Sequence, residues 1–258
     1  MKLIRIIPTL LTNKNFLIKG EKFINHKYVG DIYNAVKIFS EKKVHEIILL
    51  DIFARKENRT IDLDLIKKIK NEIFVPLCVG GGIKDADTAG SFISEGVEKI
   101  CINSELEKNM GIVEKIANRF GSQSVVASID VRKINNEYKV CFHSGKIISD
   151  IGLKEFIINL QDSGIGEIIL TSIDKEGTKT GFDINLYKMI ENIIKVPLVA
   201  NGGAKNLNSF EELFESTSIS SAAAGTFFVF FGNRKAVLIN YPEEKEINRI
   251  MEKYEKIN

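Results

Sequence analysis

Two stretches hold the residues best suited to chemistry. Residues 75–85 read VPLCVGGGIKD and residues 196–206 read VPLVANGGAKN. Each is a short apolar run, then glycines, then a polar residue able to open a helix. Glycine lacks Cβ and tolerates positive φ, so the backbone N–H groups of such a turn can close around an anion. The starts differ by 196 − 75, an offset of 121 residues, and the same offset carries EIIL at 46–49 onto EIIL at 167–170. Two copies of one strand–turn module predict a fold of two similar halves, roughly residues 1–122 and 123–258.

The elements that must position these turns follow from periodicity. Residues 3–11 read as a first strand, and apolar runs at 46–52, 76–79, 98–102, 124–129, 167–170, 198–200 and 219–223 read as seven more. Helical patterns fall between them, the first capped by Asp31 with Ile32, Ala35, Val36 and Phe39 on one face, and an amphipathic helix over 243–257 closes the chain. The polar segment 12–30 is too long for an ordinary βα turn and reads as a binding loop or lid, whereas 133–150 reads as a β-hairpin insertion. Eight strands joined by crossover helices predict an α/β fold, a (βα)8 TIM barrel. A chain of 258 residues, 44% hydrophobic, is the size of one such domain.

In such a barrel the C-terminal ends of the strands carry the active site. Leu11, Asp51, Gly81, Gly82, Asn103, Ser104, Asp130, Thr171, Ser172, Gly202, Gly203, Gly225 and Thr226 fall there, and only Asp51 and Asp130 among them are ionisable. The turn after strand three with Asn103 and Ser104, and the turn after strand seven with Gly225 and Thr226, make two donor clusters on opposite sides of the mouth. A ligand phosphorylated at both ends would bridge them; small residues fitted to a crowded rim are the steric alternative. Arg5, Glu46, Lys99 and Glu167 fall instead at strand starts. Alternation along a strand puts Arg5 on the face of Leu11, Lys99 on that of Asn103 and Glu167 on that of Thr171. Two cations and two anions could then ring the barrel floor, as a structural plug or as a gate to a central passage.

Composition excludes other classes. Net charge is +2, so no global field argues for nucleic acid. Cys78, Cys101 and Cys141 form no C-x-x-C motif and read as reduced thiols in a cytoplasmic setting. His26, His45 and His143 lack metal-ligand spacing, so no metal site is expected. MKLI begins a strand rather than a signal peptide, and no apolar run is long enough to span a bilayer.

From Arg5 to about Phe230 these residues resemble HisF, the cyclase subunit of imidazole glycerol phosphate synthase, through RIIP, LLDI, VGGGI, EKICIN, FGSQSVVASID, GEIILTSIDKEGTKTGFD and NGGA. The resemblance implies a (βα)8 barrel of the lyase class, two phosphate sites for a bis-phosphorylated ribonucleotide, no cofactor, and ammonia delivered by a HisH-like glutaminase docked on the floor. It makes Arg5, Glu46, Lys99 and Glu167 the ammonia gate and Glu98 a charged contact at the rim. Lys19 becomes the substrate-loop lysine, Asp130 the acid or base after strand five, and Glu176 and Gly177 part of the substrate loop after strand six. Three positions depart from the family pattern: Leu11 and Glu176 stand where it has aspartates, and Gly225 where it has serine. A leucine cannot transfer protons. IIPTLL at 6–11 and SAAAGTFFVFFGNRKAVLINYP at 221–242 are similar instead to a paralogous branch found with surface-polysaccharide genes. That branch is thought to supply ammonia to a sugar amidotransferase making acetamidino groups. The leading expectation is an ammonia-channel subunit of that kind. A cyclase of histidine biosynthesis is second, and a non-catalytic phosphate-binding scaffold third.

Overall fold

The computed structural model describes residues 4–232 and 236–255. The start of the predicted first strand (1–3), part of the stretch 221–242 (233–235) and the last turn of the predicted closing helix (256–257) lie outside the described residues.

Eight parallel strands form the barrel: β1 (Arg5–Asn13), β2 (Ile47–Asp51), β3 (Leu77–Gly80), β4 (Lys99–Ile102), β5 (Val125–Ile134), β6 (Glu167–Ser172), β7 (Leu198–Asn201) and β8 (Ser221–Ala224). Each pairs with the next, and β8 returns to β1 with Arg5 opposite Ser221, so the sheet closes. Closure leaves no barrel strand with an unpaired edge. Outside it run α1 (Ile32–Glu41), α2 (Leu63–Lys70), α3 (Ala86–Ser94), α4 (Gly111–Phe120), α5 (Leu153–Asp162), α6 (Ile184–Ile190), α7 (Leu207–Ser216), the short α8 (Thr226–Val229) and α9 (Glu244–Glu255). The side chains of Asp31, Asp62, Asp85, Asp183 and Asn206 accept from backbone N–H groups at the starts of α1, α2, α3, α6 and α7. Asp62 and Asp183, and Asp85 and Asn206, are each one repeat offset apart, so the duplication reaches the helix caps. No helix among the described residues is long and apolar enough to cross a membrane.

Alternation divides the barrel interior into layers. Ile7, Ile48, Cys78, Cys101, Val126, Ile169, Val199 and Ala223, one residue from each strand, make a buried apolar belt. Charged residues lie on the N-terminal side of this belt and polar ones on the C-terminal side.

The predicted loop at 12–30 is corrected. β1 runs on to Asn13, and two further strands, Phe16–Glu21 and Ile24–Asp31, fold back antiparallel with Leu11 opposite Ile18. Two-residue hairpin turns with positive φ at both positions favour Asn-Gly or Asp-Gly. Here Lys22 (φ 51°) and Phe23 (φ 65°) take them, so the turn carries no sequence signal. The insertion at 133–150 forms as predicted, Glu137–Phe142 pairing antiparallel with Ile147–Gly152 across Ser144 and Gly145, and β5 further extends to Ile134 to pair with the first of these strands through an unpredicted turn at Asn135 and Asn136.

At Gly82 φ is +71°, and a Cβ would overlap the Arg59 carbonyl oxygen. Gly82→Ala should cost about 2–5 kcal/mol through left-handed strain and overlap. Gly181 also has positive φ, but its Cβ would meet open space, and Gly181→Ala should cost only about 1–2 kcal/mol. Urea denaturation of both variants measures the difference; equal losses would mean that the Arg59 backbone simply moves aside.

Candidate functional site

At the C-terminal end of the barrel one cavity is lined by Leu11, Asp51, Gly81, Gly82, Asn103, Ser104, Asp130, Thr171, Glu176 and Gly225. A smaller one beside it is lined by Glu176, Gly177, Gly202, Gly203, Gly225 and Thr226. The structure therefore gathers most of the predicted upper set, from all eight strands' ends, around one mouth. Two predicted residues line neither cavity. Ser172 donates to the Asp183 carboxylate at 3.3 Å and serves the start of α6. Lys19 is sealed beneath the first hairpin.

Asp51 is committed. Its Oδ1 accepts from the Phe53 and Ala54 amides, both at 3.0 Å, and Arg59 binds the carboxylate through Nη1 at 2.5 Å and Nη2 at 3.2 Å. It shapes the loop after β2 and has little left for proton transfer. Asp130 is different. It is buried, and Asn103 Nδ2 donates to it at 2.8 Å while also donating to the Ser128 carbonyl at 3.0 Å. Burial pushes its carboxyl up to about 7; the Asn103 bond pulls it down, and the nearby Glu176 adds to the rise. A carboxyl near 7 can give and take protons at neutral pH. Leu11 lines the same cavity and offers no second group.

Lys19 and Gly225 explain each other. Lys19 comes from the hairpin strand Phe16–Glu21, and its Nζ donates to the Thr9 carbonyl at 2.6 Å. A Cβ at position 225 would overlap that Nζ. The absence of a side chain at 225 is what leaves room for the ammonium group. Burial draws Lys19 down to about 8, with Glu176 opposing the fall. Glu176 is itself raised by burial, held back by Lys19. The Lys22 amide donates to the Glu176 carbonyl at 2.9 Å, and a Cβ on Gly177 would strike the Gly20 carbonyl. The hairpin tip and the loop after β6 thus close on each other across the mouth. Thr171 Oγ1 accepts from Asn201 Nδ2 at 3.1 Å, and the buried Thr226 hydroxyl has no hydrogen-bond partner among the described residues.

Sequence reasoning missed several lining residues: Thr9, Phe23, His26, Arg55, Glu105 and Asn201. Alternation along β1 could have found Thr9, two residues before Leu11. Phe23 and His26 were hidden with the hairpin.

At the opposite end the four charges form a closed ring. Arg5 bonds Glu46 at 2.9 Å and also bonds Glu167; Lys99 bonds Glu46 at 2.7 Å and Glu167 at 2.6 Å. The anions are buried, at 4% and 7% side-chain exposure, and the cations face outward at 20% and 19%. Burial pushes the Glu46 carboxyl up despite Lys99. Lys99 is lowered by burial but raised more by Glu46 and Glu167, so it is held above the ordinary lysine range. The two directions oppose each other for one pair. The ionised state is the one the geometry demands, since Glu46 accepts from two cations. A depression lined by Arg5, Lys99, Glu167 and Pro197 opens beneath the ring. Glu98 is half-exposed at this end, bonded to Lys70 at 2.9 Å and to the Leu77 amide at 2.8 Å.

The family model described as histidine biosynthesis protein matches residues 5–234. A relative from Pseudomonas aeruginosa, provisionally named imidazole glycerol phosphate synthase subunit hisF2, is 42% identical over 245 residues, covering 95% of this chain and 98% of its own. A provisionally named HisF subunit from Leptospira borgpetersenii is 42% identical over 240 residues, 92% of this chain and 94% of its own. The imidazole glycerol phosphate synthase subunit HisF of Chlorobium chlorochromatii is 35% identical over 226 residues, 88% of this chain and 90% of its own.

The raised Asp130 pKa has a stability signature. The folded value, about 7, lies above the ordinary aspartate value of 3.8, so folding favours the protonated form. That contribution is fully present below about pH 4 and is lost as the pH rises through 7. Asp130→Asn keeps an acceptor for Asn103 and cannot ionise. It should gain stability relative to the parent between about pH 4.5 and about pH 8, by at most about 4 kcal/mol. Denaturation curves at both pH values test this; an unchanged gap would show that Asp130 ionises normally.

Proposed function

The chain belongs to the histidine biosynthesis protein family as a HisF-like imidazole glycerol phosphate synthase subunit, and on that premise we propose that it is the ammonia-receiving barrel of a glutamine amidotransferase complex and has lost efficient cyclase activity. One observation carries the reading: the floor ring is complete while the mouth lacks a carboxylate at Leu11.

In this reading a HisH-like glutaminase docks over Arg5, Glu46, Lys99 and Glu167, with Glu98 at the rim. Phe74, in the loop entering β3 at the same end, is 98% exposed and suits an apolar anchor. Ammonia is small and neutral. It can pass a ring whose cations swing outward and then cross the apolar belt, which an ammonium ion would enter only at a large desolvation cost. At the mouth, Gly81, Gly82, Asn103 and Ser104 form one phosphate cradle. Gly177, Gly202, Gly203, Gly225 and Thr226 form the other. Lys19, Glu176, Thr171 and Asp51 shape the space between, and Asp130 remains the proton carrier.

The recipient we favour is a sugar amidotransferase making acetamidino groups for surface polysaccharide, in the cytoplasm. The stretches at 6–11 and 221–242 support it through their resemblance to that branch. A cyclase of histidine biosynthesis is the second reading, favoured by one feature: Glu176 is a second carboxyl lining Asp130's cavity.

The experiment is a cyclase assay with the bis-phosphorylated ribonucleotide and ammonium salt. Loss of one acid–base group predicts turnover about 10²–10⁴-fold below that of an ordinary HisF. Leu11→Asp should recover part of it. Parent activity at the level of an ordinary HisF would overturn the ammonia-conduit reading in favour of the cyclase.

A further inference from the structure

One charged residue at the mouth has no part in the proposed function. Arg55, in the loop after β2, lines the cavity that also holds Gly82, Asn103 and Ser104. Its side chain is 33% exposed, and its ion pair among the described residues is with Glu105 at 3.3 Å. Glu105 lies in the short 3-10 turn Ser104–Glu107 after β4, is 15% exposed, and lines the same cavity. A guanidinium carries five N–H donors in a planar fork, suited to two-point binding of phosphate or carboxylate. Arg55 uses that fork for a single long contact.

The neighbouring arginine is the contrast. Arg59 is bound to Asp51 through two nitrogens, to Glu57 at 2.7 Å and to the Thr60 carbonyl at 3.2 Å. It is fixed in place and holds up the loop. Arg55 has no comparable framework role, yet it stands beside a glycine turn whose shape excludes side chains.

We propose that Arg55 is a specificity-determining residue of the cradle at Gly82 and Ser104, that it binds the phosphate monoester group of the ligand, and that Glu105 is the internal anion which this phosphate displaces. The inference rests on the phosphate-cradle reading of the proposed function and extends it. Because Glu105 competes for Arg55, the two partners of one ion pair must have opposite effects on binding. A pair serving only the framework would give losses from both.

The test is titration of 15N-labelled protein with inorganic phosphate at low ionic strength. The Gly82 and Ser104 amides report this cradle, and the Gly203 and Gly225 amides report the other. Arg55→Ala should weaken phosphate binding at Gly82 and Ser104 by about 10- to 100-fold, the loss expected for a charge-assisted pair. Binding at Gly203 and Gly225 should not change. Glu105→Gln should tighten binding at Gly82 and Ser104. Thermal unfolding of both variants checks that the fold is intact, and Arg55→Lys, which keeps charge without the fork, should fall between. If phosphate shifts these amides equally in the parent and both variants, or if Glu105→Gln weakens binding, the role of Arg55 is overturned while the cradle stands. If phosphate fails to shift Gly82 and Ser104 even in the parent, the cradle and the role of Arg55 fall together.

Discussion

Burying two carboxylates against two partly exposed cations at a barrel floor is the constraint around which the rest of this molecule is arranged. Glu46 immediately precedes β2 and Glu167 starts β6, and each accepts from both Arg5 of β1 and Lys99 of β4. Such a ring gains little over apolar packing of similar volume, yet removing one member of a buried pair typically costs about 3–5 kcal/mol by stranding the others. Alternation then sets the layers stacked on the ring. Residues two further along each strand form the apolar belt, and those beyond it form the polar mouth. The barrel is a graded column: a ring of paired charges, an apolar belt and a pocket with polar lining.

The departures at the mouth are coupled to one another. Gly225 leaves space that Lys19 fills, Lys19 and Glu176 each oppose the shift that burial imposes on the other, and Glu176 adds to the rise that burial imposes on Asp130. Gly177 lets the loop after β6 approach the hairpin backbone at the Gly20 carbonyl. A chain with serine at 225 could not seat this lysine in the same place.

Much of this was legible in the sequence. The offset of 121 residues matched the segments that form β2 and β6 and those that form β3 and β7, and strand alternation placed Arg5, Lys99 and Glu167 on one inner face. The caps at Asp31, Asp85 and Asn206 could be read because a side-chain oxygen before an apolar period is a local signal. The first hairpin could not, because Lys22 and Phe23 adopt positive φ without the residues that normally advertise it. Asp51 was visible as a strand-end carboxylate, but its capture by Arg59 depends on an irregular loop with no periodicity. Arg55 was missed for the same reason: nothing in spacing tells an arginine that props a loop from one that faces a cavity.

The central claim is that the floor ring is a gate on a passage and not a plug. The most direct measurement uses the assembled complex with its glutaminase and a working acceptor, comparing parent and Lys99→Ala. Glutamine hydrolysed is set against ammonium escaping to solvent. A gate predicts that the variant still binds the glutaminase and still hydrolyses glutamine, but releases a much larger share of the nitrogen to solvent. If the share released is the same in both proteins while the partner stays bound, the ring only closes the barrel and the conduit account is wrong.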